Sequence, residues 1–211
     1  MTTRFAGAAL AAMLVAGLGG CAAVRDATAT RLDPALPWRT VATEPDRERL
    51  RNWRRVWDEA LPAARQADGG AIAADAALFD PDRALATALP PAGRYRCTTA
   101  KLGIHGTATR AFRVEAPSTC TVTPDGPAFR LVRDDGAQRF AGSLYGDTDT
   151  RAIFLGTLVL GDETNALRYG TDAHRDMIGY LERIGEHRWR LVLPHPQFES
   201  ILDIVELVPA A

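Results

Sequence analysis

The chain reads as a mainly β protein: an antiparallel β-barrel or sandwich with an N-terminal amphipathic helix packed on it. Three observations predict this class. From Gly93 to Val208, short runs rich in β-branched and aromatic residues recur at about ten-residue spacing between turn residues. One run, Arg151 to Gly161, is apolar on both faces and is bounded by Gly146-Asp147 and Gly161-Asp162, the pattern of a strand buried on both sides. Between Thr43 and Gln66, apolar residues recur instead at steps of three and four. No glycine-rich phosphate loop and no alternation of strands with helices is present, so a nucleotide-binding α/β fold is not expected.

Residues 1–20 form a secretory signal in outline. Arg4 is followed by an apolar run from Phe5 to Leu18, then by the small residues Gly19 and Gly20. Leu18-Gly19-Gly20-Cys21 resembles the lipobox of bacterial lipoproteins. That resemblance implies cleavage before Cys21 and lipidation of its thiol. Two alternatives stand beside it, an uncleaved anchor and ordinary cleavage with a free cysteine. The run is Ala/Gly-rich and falls short of the roughly 20 apolar residues a membrane span needs. Two or three acyl chains hold a protein stably where one chain would be marginal. Ala22 follows the cysteine, where an Asp tends to retain Gram-negative lipoproteins at the inner membrane. The resemblance therefore implies a cell-envelope location, lipid-anchored at the outer membrane and facing the periplasm.

Composition agrees with that setting. The formal net charge is −1, and removal of Arg4 with the signal leaves −2. This balance carries no electrostatic footprint for nucleic acid. With Cys21 lipidated, Cys97 and Cys120 remain, and an even pair in an exported chain predicts a disulfide. Closing a loop of that size contributes roughly 3 kcal/mol. Two separate buried thiols are the alternative. No Cys or His ligands lie close enough to suggest a metal site, and nothing implies a cofactor.

Residues 21–42, rich in Ala, Thr and Pro, read as a tether, and Trp38 in it marks a candidate start of the folded body. Residues 43–90 read as a helical segment. Thr43 is a candidate N-cap, with Pro45 and the acids Glu44, Asp46 and Glu48 in the first turn. Leu50, Trp53, Trp57, Leu61 and Ala64 form one apolar stripe, with arginines largely off it. Pro62 is expected to end or kink the helix, and Gly69-Gly70 to break the pattern. The stripe is expected to pack on the β half. A membrane-surface role for this basic helix is the alternative.

Residues 93–208 read as one antiparallel β domain, with 43–208 forming one globular unit. Expected strands cover 94–102, 107–115, 120–123, 128–133, 138–145, 151–160, 177–184, 189–193 and 203–208. The segment 161–175 is long and polar, so it is the expected functional loop. Asp162 and Glu163 place two acids at a hairpin end, a pattern that can hold a cation. His174, Arg175 and Asp176 offer a base and an acid, although adjacent residues of an extended chain face opposite ways. Glu199 precedes the last strand near His195. These six are the candidate ligand or partner loop residues, and no catalytic constellation stands out. Ser143 lacks the nucleophile-elbow glycines. Lys101 reads as a product of an arginine-dominated composition.

Several stretches together carry a family resemblance: TEPDRERLRNWRRVW, PPAGRYRC, RAIFLGTLVLGDE, YGTDAHRDMIGYLERIG and WRLVLPHPQFESILDIVELVP. They resemble a group of uncharacterised bacterial lipoproteins defined by a domain of unknown function. The resemblance implies an envelope location and assigns no catalytic residue. Separately, Tyr95-Arg96-Cys97 is similar to the Tyr-x-Cys of membrane-bound lysozyme inhibitors, which are small lipid-anchored barrels. The expected function is a non-enzymatic binding or accessory module whose partners are the membrane, through its anchor, and an envelope protein or small apolar ligand. The alternatives are a hydrolase of envelope polymers using a carboxylate pair, and a protein inhibitor.

Overall fold

The computed structural model describes residues 1–2, 38–136 and 138–210. Cys21, nearly all of the expected signal segment and most of the expected tether lie outside the described residues. Four helices come first: α1 (Trp38–Val41), α2 (Glu44–Arg51), α3 (Trp53–Ala74) and α4 (Ala76–Phe79). Nine strands follow: β1 (Gly93–Leu102), β2 (Phe112–Val114), β3 (Ser118–Asp125), β4 (Ala128–Arg133), β5 (Arg139–Gly146), β6 (Ala152–Val159), β7 (Asp176–Gly185), β8 (Arg188–Pro194) and β9 (Leu202–Pro209). No helix among the described residues is long and apolar enough to cross a membrane.

The sheet closes. Its order is β2-β1-β3-β4-β5-β6-β7-β8-β9, and β9 pairs back onto β1 along Tyr95–Leu102, all antiparallel. Of the two architectures the sequence allows, the molecule is therefore a barrel, of eight strands, with β2 as an extra strip. Closure leaves the barrel wall without a free edge. The expected strand over 107–115 shrinks to β2. The reason is room: β3 occupies the edge of β1 from Gly93 to Cys97, so only Ala100–Leu102 remains for β2. Cys97 and Cys120 lie inside the barrel where β1 and β3 part. They are joined by a disulfide with Cα atoms 5.9 Å apart.

The wall is apolar on both faces because both are covered. Tyr95, Val122, Leu131, Phe140, Leu144, Phe154, Leu158, Leu181, Leu191 and Leu207 fill the interior. Ile153, Leu155, Ile178, Tyr180, Val192 and Ile204 face outward beneath the helices. Every residue of β6 is buried, as its two-sided apolar pattern requires. The inward positions of β5 and β6 include the paired glycines Gly142 and Gly156. A Cβ on Gly156 would stand 2.3 Å from the Phe154 ring, so the ring takes the place a side chain would fill.

The helical cover is one continuous stripe, with breaks where local patterning does not place them. Thr43 caps α2, its hydroxyl accepting from Asp46 N. The first break is at Asn52, not Pro62. Pro62 lies inside α3 on its exposed side, where the carbonyl it frees faces solvent. The kink falls at Asp68, whose carboxylate accepts from Ala71 N and so caps the second piece of α3 across Gly69-Gly70. Trp57 is buried, and its indole donates to the Tyr180 hydroxyl at 2.6 Å. Trp53 is only half-buried. It lies edge-on to Tyr180 and beneath the guanidinium groups of Arg54 and Arg151. A buried pair, Glu182 with Arg190, sits on the same outer face. Arg190 also donates to the carbonyls of Leu78, Asp80 and Arg83, which fastens α4 and the chain after it to the barrel.

Candidate functional site

The long connections gather at one end of the barrel. Residues 103–111, 134–138, 160–175 and 195–201 all emerge there, together with the start of α2. The other end has the tight β3–β4, β5–β6 and β7–β8 turns. Loops on a rigid barrel rim are where binding residues concentrate.

Register brings charge into the rim. Lys101 pairs with Arg113 of β2 on one side and with Asp203 of β9 on the other. Directly paired residues share a face, so Arg113, Lys101 and Asp203 form one cross-strand row. Lys101 is the chain's single lysine and is 2% exposed. Its ammonium donates to Asp203 Oδ2 at 3.0 Å and to Gln138 Oε1 at 2.9 Å. Ser200 donates to the other Asp203 oxygen. Burial nevertheless pushes the Asp203 carboxyl above the usual range, against the pull of Lys101 and Ser200. Arg133, also buried, bonds Thr99 Oγ1 at 3.0 Å and Glu115, while its Nε has no partner among the described residues. A cavity of about 20 Å³ beside Arg133, Gln138 and Asp203 is the size of about one water molecule.

Outside this plug lies a wider groove of about 600 Å³, lined by Asp46, Arg49, His105, Asp176, His195 and Gln197 among others. Arg49 pins its walls together. It pairs with Asp46 and donates to the carbonyls of Asp176 at 2.9 Å and His195 at 3.2 Å. Tyr169 donates to the second oxygen of Asp46 and accepts from Thr43 N. Burial, reinforced by that carboxylate, raises the Tyr169 hydroxyl. Asp176 accepts from Gly170 N at 2.9 Å. Burial raises its carboxyl, and the neighbouring Asp46 adds to the shift. Burial lowers the His195 imidazole, so this ring favours its neutral form. His195 and Glu199 both adopt left-handed backbone, with φ of 46° and 68°. For residues with a Cβ this is strain of the kind that clusters at binding sites.

All six residues expected in the ligand or partner loop lie on this end, in different roles. Glu163 accepts from Leu160 N and from Arg175, so both residues are spent on holding their loop. Those two contacts hold the Glu163 carboxyl below its ordinary value, the backbone bond first. Glu199 pairs with Arg113. Asp176 reaches the groove, whereas Asp162 and His174 remain on the exposed surface of the loop. His174 does not face Asp176 as a base–acid pair; its backbone N instead bonds Asp172. Among the described residues no group of three or more His, Cys, Asp or Glu side chains could hold a metal. Glu206, in the last strand, faces outward to Arg188.

Three groove residues, Asp46, Arg49 and His105, were not expected at the site, because they come from α2 and the β1–β2 loop. Lys101 is also more than a matter of composition: its side chain is the centre of the buried row. Its being the only lysine among 25 basic residues was the available signal.

Comparison with known proteins places the chain in a family. The family model "Domain of unknown function (DUF4893)" matches residues 38–207, and the chain belongs to that family. No curated protein matches the chain. Among solved structures, a redesigned β-barrel matches at 8% identity and a TM-score of 0.37, covering 57% of this chain and 91% of its own.

Proposed function

We propose that this member of the DUF4893 family is a non-enzymatic binding module of the bacterial cell envelope, lipid-anchored through Cys21 at the outer membrane and facing the periplasm. Its long-loop end engages an envelope protein. The observation that carries the binding reading is the groove: about 600 Å³, open, mostly apolar in its exposed lining, with Asp46 held by Arg49 and Tyr169 and the Asp176 backbone by Arg49. Such pre-ordering lowers the entropy lost on association. The cavity beside Arg133, Gln138 and Asp203 holds about 20 Å³, too little for a small apolar ligand, which would sit at the rim. The anchor rests on the lipobox resemblance.

Two measurements test this. Membrane fractionation should find Cys21→Ala soluble in the periplasm, and unchanged membrane retention would sink the anchor. Crosslinking from a photoreactive residue at Gln197 should capture a discrete envelope partner, while the same probe at Asp149 in the opposite turn should not. Equal capture from both ends would overturn the assignment of the binding face.

A hydrolase acting on an envelope polymer is the second reading. Two carboxylates, Asp46 and Asp176, line one groove, and the raised Asp176 is the kind of group that can donate a proton. Both oxygens of Asp46 are already engaged by Arg49 and Tyr169, which suits a structural anion better than a base. Turnover of peptidoglycan that is abolished by Asp176→Asn would favour the enzyme.

A further inference from the structure

A second, smaller pocket of about 230 Å³ opens on the other side of the β1–β2 loop. It is lined by Lys101, Ala108, Thr109, Arg110, Arg113 and Glu199. Its donors outnumber its acceptors. An ammonium carries three N–H donors, and Lys101 uses two of them, on Gln138 and Asp203. The third has no partner among the described residues, and Lys101 lines this pocket. Arg113 meets Glu115 and Glu199 through Nη2 alone, which leaves Nε and Nη1 unused. Arg110 is exposed and has no partner among the described residues. The single carboxylate in the wall, Glu199, is already held by Arg113, with its own backbone left-handed.

This arrangement brings like charges together. Lys101 and Arg113 are like charges placed directly opposite each other on neighbouring strands, a pairing that destabilises a sheet. Asp203 offsets part of it at Lys101, and Glu199 and Glu115 at Arg113, which leaves Arg110 as the cation without a carboxylate partner among the described residues. Three cationic side chains still border one space, and a guanidinium fork is matched to oxyanions in geometry.

We propose that this pocket binds a small oxyanion, a carboxylate or phosphate group carried on a small molecule. Lys101 is the buried floor, Arg113 the fixed wall, and Arg110 the exposed arm that closes from outside. Thr109 adds a hydroxyl at the rim. The site is distinct from the wide groove, so it stands or falls separately from the partner reading.

The test is calorimetric titration of the full chain in detergent with inorganic phosphate and, separately, with acetate, at matched ionic strength. Saturable binding of at least one is expected, and the anion that binds more tightly identifies the group. Arg110→Ala should weaken it roughly tenfold, the equivalent of about 1.4 kcal/mol, with the melting temperature unchanged, because Arg110 is exposed and unpaired. Asp176→Asn, in the groove, should leave anion binding untouched. Lys101→Met should abolish binding if it folds, and Arg110→Ala carries the test if it does not. Absence of saturation by both anions, or binding that Arg110→Ala leaves unaltered, overturns the proposal.

Discussion

The two ends of the barrel are made from the same eight strands and differ in what joins them and in what fills them. At the short-turn end the interior is apolar: Tyr95 meets Trp189 edge to face at 6.0 Å, and Ala88 and Leu89 pack in beneath. Tyr95 satisfies its hydroxyl on Pro91 O at 2.6 Å. At the long-loop end the same inward positions of β1, β4 and β9 carry Lys101, Arg133 and Asp203. One end closes the barrel by hydrophobic packing. The other closes it by paired charges, which are unfavourable to bury unless they satisfy one another. A barrel can assign stability to one rim and recognition to the other because its hydrogen-bonded wall is continuous between them.

The largest effect that could break this contrast is at Lys101. Removing one member of a buried pair leaves its partner uncompensated, so Lys101→Met should destabilise the fold by roughly 3–5 kcal/mol. Adding Asp203→Leu should recover most of that, because the pair as a whole contributes little net stability. Urea unfolding at neutral pH measures both, and a single-variant loss under about 1 kcal/mol would mean the charged end is not closed by this pair.

Next in size is the dependence on pH. The folded-state carboxyls of Asp203 and Asp176 are both raised, by burial first. A group whose folded pKa lies above its unfolded value of about 3.9 contributes stability that is full below that value and is lost as pH rises through the folded pKa. The long-loop end should therefore become less stable as pH climbs from about 4 through the raised values. Glu163, whose carboxyl is lowered chiefly by the Leu160 backbone bond, acts with the opposite sign: its contribution is lost as pH falls through its folded value. Asp203→Asn should remove much of the downward slope in a series of melting curves. An unchanged slope would place the titration elsewhere.

The smallest effect sharpens the contrast from the apolar end. Trp189 is buried and its indole Nε1 has no partner among the described residues. Trp189→Phe removes an unsatisfied donor, a gain of roughly 1–3 kcal/mol, and loses ring volume at a similar cost. The net change should lie within about 1 kcal/mol, and binding at the opposite rim should be unaffected. A melting curve of the variant checks the first part and the phosphate titration the second.

Much of the wall was legible in the residues. The two-sided apolar run at β6, the turn residues between strands and the cysteine pair each report a local constraint. The stripe of α2 and α3 was legible for the same reason, including the burial of Trp57. The helix breaks were legible in part: Pro62, on an exposed side, sits inside α3 without ending it, whereas the break expected at Gly69-Gly70 falls beside them at Asp68, which caps the second piece. The site was legible in part. The loop 161–175 and Glu199 are polar and irregular in the sequence itself. Their partners Arg49, Arg113 and Asp46 come from distant segments of the chain, so no local pattern connects them.

By itself, then, the sequence determined the strand-and-turn rhythm, the amphipathic cover and the disulfide partners, because each is written in spacing along the chain. Only the tertiary structure decided that the sheet closes, since closure depends on β9 finding β1 from the far end of the domain, and no local pattern encodes that pairing. Closure in turn decided which residues matter at the rim. It set Asp203 beside Lys101, which β2 already pairs with Arg113, and it turned a lone lysine into a buried charge that borders a pocket.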